Sequence, residues 1–193
     1  LQAPSSSSNN RVFTIPDVAD GTIATTATAG KILQVKNAIK TDTQSVTNGT
    51  FTDITGLSIS MTPSSSSNKI LFRGYVAVSG NENSTPTIKI FRDSTEIGKS
   101  TADSTAANNS TATGKFLNIS SVTSTGRQLM RQLQFEVLDS PNTTSATTYK
   151  VQFAETHLYI YGSTTVYINR PYSGMGAEQH GVISSVTAME VAA

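Results

Sequence analysis

The stretch from Leu57 to Val78 reads LSISMTPSSSSNKILFRGYVAV, and its pattern decides the fold class. Apolar residues stand at every second position on both sides of a serine run, except where Gly74 interrupts the row: Leu57, Ile59, Met61, Ile70, Phe72, Val76 and Val78. A period of two is that of a β-strand with one buried face. Pro63 and the serines that follow it interrupt the pattern as a turn does. The stretch therefore predicts two successive strands of an all-β domain.

The same alternation recurs on both sides of this stretch. It predicts strands at 12–15, 32–39, 43–46, 51–54, 57–61, 70–78, 88–91, 129–137, 149–153, 166–168 and 183–191. Residues 129–137 also fit a helical period, but the surrounding threonines and serines favour a strand. Asn48-Gly49 predicts a hairpin between 43–46 and 51–54. Roughly ten short strands with turns between them predict a jelly-roll-like antiparallel β-sandwich.

The composition agrees with this fold class and narrows the function. Serine and threonine supply more than a quarter of the 193 residues, whereas charged residues make up only 14%. The formal net charge is +1, so no basic surplus is available for binding nucleic acid. The chain has no cysteine and no apolar run near the ~20 residues of a membrane helix, so we expect neither disulfides nor membrane insertion.

These patterns predict that the chain consists of an N-terminal extension and one domain. Residues 1–30 are low in apolar content apart from the short strand at 12–15, which predicts an N-terminal extension. Residues 31–193 are predicted to form the β-sandwich domain. Two long polar loops interrupt it, at Thr101–Gly114 and Asn169–Gly181. Loops of this length on a strand scaffold are common places for binding sites.

The sequence contains none of the common catalytic motifs that we looked for. There is no Gly-x-Ser-x-Gly elbow, no phosphate-binding loop and no dinucleotide fingerprint. The pair Glu155-x-His157 shares a strand face, but a zinc site needs three or four ligands, so we interpret it as a polar strand residue beside a carboxylate. We therefore expect no enzyme activity, no cofactor and no metal site.

The loop Asn169–Gly181 is the best candidate binding site in the sequence. It contains Asn169, Arg170, Tyr172, Gln179 and His180, and further tyrosines flank it. An aromatic face beside amide and charged groups offers a flat apolar platform with oriented hydrogen bonds, which suits a sugar. The alternative is that the tyrosines pack against the sheet or a neighbouring chain, and for Arg170 and Tyr172 the two interpretations weigh equally.

Three stretches carry a resemblance to a known class of proteins. They are RVFTIPDVADGT at 11–22, GKILQV at 30–35 with TPSSSSNKIL at 62–71, and VYINRPY at 166–172 with GVISSVTAMEV at 181–191. Together they resemble the C-terminal domains of tail fibres and other virion appendage proteins of marine bacteriophages. The resemblance implies a location in the virion, a homotrimeric β-structure at a fibre tip, and residues 1–30 as the end of a fibre shaft.

Three functions are compatible with these observations. The first is a tail-fibre tip or similar appendage that contacts other virion proteins and binds a host-surface glycan or receptor. The second is a capsid-decorating protein that clamps neighbouring capsid subunits, with residues 1–30 as an arm that adds strands to a partner. The third, least favoured, is an enzyme that trims host polysaccharide.

Overall fold

Eleven antiparallel strands form the described part of the chain. A computed structural model describes residues 31–47, 49–80, 84–99, 114–115, 130–156, 165–172 and 181–193. The strands are β1 (Ile32–Lys40), β2 (Gln44–Thr47), β3 (Thr52–Met61), β4 (Lys69–Gly80), β5 (Pro86–Arg92), β6 (Thr95–Ile97), β7 (Gly114–Lys115), β8 (Arg131–Asp139), β9 (Thr147–Glu155), β10 (Thr165–Ile168) and β11 (Ser184–Val191).

The strands form two sheets in the order of a jelly roll. The first sheet runs β8–β4–β11–β1, and β10 joins the end of β4 and carries β2. The second runs β3–β9–β5, with β6 and β7 on the far side of β5. The pairs β1·β11, β3·β9, β4·β8 and β5·β6 are nested along the chain, each enclosing the next. The predicted antiparallel β-sandwich is therefore confirmed, and its nesting is that of a jelly roll.

The core lies between the sheets and consists of the residues that the alternation selects. Its fully buried members from the opening stretch are Leu57, Met61, Ile70, Phe72 and Val76. The second sheet adds Ile88, Ile90, Tyr149, Val151 and Phe153. Residues 131–139 form a strand with Leu133 and Phe135 buried, so the helical alternative is wrong there.

The hairpin predicted at Asn48-Gly49 is wrong. The strands before and after it belong to different sheets, because β2 pairs with β10 and β3 pairs with β9. The side chain of Gln44 spans the corner: its amide donates to the Asp53 carbonyl at 2.9 Å, and its oxygen accepts from the Thr55 N–H at 2.9 Å. One side chain thus provides the hydrogen bonds that a hairpin would have supplied through its backbone.

Strand β1 has its apolar side facing outward. Leu33, Val35 and Ile39 share one face as predicted, but they are about half exposed, at 47%, 56% and 53%. The opposite face points toward β3, where Gln34 donates to the Thr62 carbonyl at 2.9 Å and Lys36 to the Ser60 carbonyl at 2.6 Å. These polar side chains satisfy one carbonyl in the edge strand β3 and one just after it, and the aliphatic residues are left on the surface.

Several sequence-based predictions fall partly or wholly outside the described residues. Residues 1–30, including the strand predicted at 12–15, are among them, as is most of the loop Thr101–Gly114. Gly114, which was expected in that loop, starts the short strand β7. The last strand begins at Ser184, one residue later than the sequence predicts.

Candidate functional site

The turn after β10 is built around Asn169. This residue has a positive φ of 60°, a conformation that asparagine tolerates better than most residues. Its side-chain amide donates to the carbonyls of Lys40 at 2.8 Å and Asp42 at 3.0 Å, and its oxygen accepts from the Ser184 hydroxyl at 2.6 Å. Asn169 is 2% exposed, so its side chain anchors the turn from within the domain.

Three side chains gather on the surface above this anchor. Tyr167 lies between the buried residues Val166 and Ile168, so it points away from the core. The guanidinium carbon of Arg170 lies 4.3 Å from the centre of the Tyr167 ring, a cation–π distance. The rings of Tyr167 and Tyr172 are 6.0 Å apart and tilted by 52°. We call Tyr167, Arg170 and Tyr172 the aromatic patch.

The backbone holds the aromatic patch in place. The Ser79 hydroxyl of β4 donates to the carbonyl of Arg170 at 2.6 Å, and the Asn169 N–H donates to the carbonyl of Ala77 at 3.0 Å. Both contacts tie the turn to the end of β4, a central strand of its sheet. The patch therefore stands on a rigid support, with a cation and two half-buried rings in a fixed arrangement.

The five predicted site residues divide into three groups. Arg170 and Tyr172 lie together in the aromatic patch. Asn169 is buried beneath it, with its polar side-chain atoms bound inside the domain. Gln179 and His180 lie outside the described residues. Tyr167 belongs to the patch as well, and the sequence signal for it is its place between the apolar residues Val166 and Ile168.

A second polar surface lies on the outer face of the first sheet. Strand pairing sets Arg73 of β4 between Glu136 of β8 and Thr187 of β11. Two residues further along, Tyr75 lies between Gln134 and Ser185. The six residues Arg73, Tyr75, Gln134, Glu136, Ser185 and Thr187 form two rows of three, which we call the polar grid. They line an open groove of about 640 Å³.

The sequence analysis did not single out the polar grid. Its members alternate with core residues on three strands that are far apart in the chain, so their proximity depends on strand pairing. The available signal was that each lies at the polar position of an alternating stretch. Arg73 Nη1 and Glu136 Oε2 are 3.5 Å apart, and their side chains are 56% and 60% exposed.

A buried carboxylate anchors the serine loop that follows β3. Glu190 of β11 is 1% exposed. One of its oxygens accepts from the Ser64 N–H and hydroxyl, both at 2.7 Å, and from the Asn68 amide at 2.6 Å, and the other accepts from Gln34 at 2.7 Å. Burial favours the neutral acid, but these hydrogen bonds outweigh it and lower the pKa of Glu190 to about 2. The loop is thus fixed by a charged acceptor.

Three further observations concern the described part of the chain. No three His, Cys, Asp or Glu side chains in it lie close enough together to hold a metal ion. No helix within it has the length and hydropathy to cross a membrane. Glu155, which the sequence places beside His157, is 1% exposed and accepts from the Thr85 N–H at 2.9 Å, and His157 lies outside the described residues.

Comparison with solved structures finds similar chains in two structures of infectious bursal disease virus. A chain from the structure of infectious bursal disease virus Gt strain is similar with a TM-score of 0.39 and 13% identity, over 92% of this chain and 47% of that one. A chain from the Gx strain is similar with a TM-score of 0.36 and 12% identity, over 82% and 40%. The chain thus spans less than half the length of these relatives. No protein-family model and no curated protein matches it.

Proposed function

We propose that this chain is a virion structural protein, the tip of a tail fibre or a similar appendage, which binds a host-surface glycan or receptor. The observation that carries the proposal is the aromatic patch. Its Arg170 guanidinium carbon lies 4.3 Å from the centre of the Tyr167 ring, beside Tyr172, on a turn anchored to a central strand. The rings offer an apolar platform and the guanidinium offers hydrogen-bond donors next to it, which together suit a saccharide.

The architecture supports this proposal by analogy. Jelly rolls recur in viral capsid and lectin domains, which build particles or bind sugars. A fold shared with such proteins does not establish their function in this chain, so the proposal depends on the patch.

Assembly as a homotrimer is part of the proposal. Leu33, Val35 and Ile39 form a half-exposed aliphatic row on β1. Contact with another chain would remove this row from water and gain about 25 cal/mol for each Å² covered. In this arrangement residues 1–30 would continue toward a fibre shaft.

A capsid-decorating protein is the second candidate, and the same β1 row favours it. A decorating protein needs a surface that fits neighbouring capsid subunits, and an exposed aliphatic strand can supply one. The two candidates predict different partners for the row: copies of this chain in a fibre tip, and capsid subunits in a decorating protein. Both place the protein in the virion.

Adsorption to host cells tests the proposal. The labelled chain is incubated with cells of the host, and Tyr172→Ala and Arg170→Ala are compared with the parent. Loss of a side chain that anchors the ligand costs about 1 kcal/mol or more of binding free energy, so each variant should bind at least about fivefold more weakly. Lys150→Ala is the control, because Lys150 pairs with Asp53 at 2.9 Å on the other sheet.

Four results test the two candidates. Adsorption that falls in both patch variants, with light scattering showing a trimer throughout, supports the fibre tip. Binding to emptied capsids without adsorption to cells supports the decorating protein instead. A monomer at micromolar concentration would contradict the trimer, and unchanged adsorption of both variants would show that the patch is not the binding site.

A further inference from the structure

The polar grid is a second surface, and its side chains have no part in the function proposed for the aromatic patch. Its six side chains come from three neighbouring strands and all lie on the outer face of the sheet. Strands are about 4.8 Å apart and residues two apart in a strand are about 6.7 Å apart, so the grid covers about 10 Å by 7 Å. An area of this size fits a small ligand lying flat on the sheet.

The charges of the grid restrict the class of that ligand. Arg73 and Glu136 are neighbours across β4 and β8, and both side chains are more than half exposed. The carboxylate of Glu136 would repel an anion on the grid, and the guanidinium of Arg73 would repel a cation. A ligand without charge that both donates and accepts hydrogen bonds suits the two groups together, and hydroxyl groups do both.

The remaining members of the grid fit a polyhydroxylated ligand. Gln134 carries an amide donor and acceptor, and Ser185 and Thr187 carry hydroxyls. Tyr75 adds an aromatic ring to the middle of the second row. Leu71 lies two residues before Arg73 on β4, between Leu138 and Met189. An aliphatic row therefore borders the first row of the grid. A sugar presents hydroxyl edges and C–H faces, and this surface offers partners for both.

We infer that the groove lined by the polar grid binds an uncharged saccharide. Arg73 and Glu136 would bind neighbouring hydroxyls of one sugar, and Gln134 and Thr187 would extend the contact along the first sheet. This site is separate from the aromatic patch in its residues, so a chain could hold a branched or long host glycan at two places. The inference is therefore tested independently of the patch.

A glycan array with neutral and acidic oligosaccharides is the first experiment. The labelled chain is applied to the array, and the retained oligosaccharides are titrated against the parent and against Arg73→Ala and Glu136→Ala. We expect retention of neutral oligosaccharides and a Kd at least tenfold higher in Arg73→Ala and Glu136→Ala. Lys150→Ala removes a comparable ion pair from the outer face of the other sheet and should bind like the parent.

Stability is measured in parallel to separate loss of the site from loss of the fold. Arg73 and Glu136 are more than half exposed, so their variants should melt near the parent temperature. Arg170→Ala is titrated on the same oligosaccharides to separate the two surfaces. A loss caused by Arg170→Ala alone refutes the groove and leaves the proposed function intact.

Three other outcomes would overturn the inference. They are retention of acidic oligosaccharides only, retention of no neutral oligosaccharide, and equal affinity of the parent and the grid variants. If the grid variants lose the sugar while patch variants adsorb to cells normally, the groove stands and the aromatic patch is not a receptor site.

Discussion

Replacing Glu190 by glutamine should destabilise the domain and also remove part of its acid sensitivity. The carboxylate accepts four hydrogen bonds, from Ser64, Asn68 and Gln34, all between 2.6 and 2.7 Å. A glutamine has only one oxygen, so its NH₂ group must face a donor that the carboxylate accepted from. The variant therefore loses charge-assisted bonds and leaves a buried donor without an acceptor.

The magnitude follows from the pKa of Glu190. Hydrogen bonding lowers this pKa from 4.5 to about 2 in the folded chain. Because one pKa unit corresponds to about 1.4 kcal/mol, the folded state gains about 3 kcal/mol from the ionised carboxylate at neutral pH. The folded pKa lies below the unfolded one, so this gain is complete above pH ~5 and is lost as the pH falls toward 2. At pH 3 about 2 kcal/mol should already be lost.

Urea unfolding of the parent and Glu190→Gln between pH 7 and pH 3 measures this effect. At pH 7 the variant should unfold with a free energy about 3 kcal/mol lower than the parent. The difference should shrink by about 2 kcal/mol at pH 3, because the parent carboxylate is then protonated in the unfolded chain. Other carboxylates titrate in both proteins, so only the difference is interpreted. A difference that stays constant with pH would refute the assignment of a buried, ionised Glu190.

Four further substitutions, at three positions, test the contacts that hold the sheets and the aromatic patch. Gly74→Ala should cost about 1–3 kcal/mol in urea unfolding, because an added Cβ would lie 2.9 Å from the Cα of Val186 on β11. Gln44→Ala should lower the free energy of unfolding by about 1–2 kcal/mol, since the corner between the sheets loses both hydrogen bonds, and an unchanged value would refute its bridging role. Asn169→Gly keeps the positive φ but loses the side-chain bonds, so its melting temperature should fall, and Asn169→Ala should fall further because alanine is strained there.

The sequence predicted which residues of the aromatic patch lie together better than it predicted the contacts of each residue. Arg170 and Tyr172 were selected as neighbours in one loop, and they do lie together. Asn169 was grouped with them because its amide resembles a ligand-binding group. Its actual contacts are with Lys40, Asp42 and Ser184, and such distant partners cannot be identified from local composition.

The position and inner face of most strands followed from the sequence by itself. Burial of every second side chain is a local property of a strand, so Leu57, Ile70, Phe72 and Tyr149 could be assigned to the core before any pairing was known.

Only the tertiary structure decided which strands pair and what covers each face. Asn48-Gly49, between 43–46 and 51–54, is a sequence typical of a hairpin turn. Strands β2 and β3 nevertheless belong to different sheets, because their hydrogen-bond partners, β10 and β9, come from much later in the chain. The aliphatic row of β1 faces outward because Gln34 and Lys36 reach the carbonyls of Thr62 and Ser60 on the inner side. The polar grid likewise exists only once β4, β8 and β11 are side by side. Alternation records which residues share a face, whereas the choice of partner depends on the free energy of the whole packed domain.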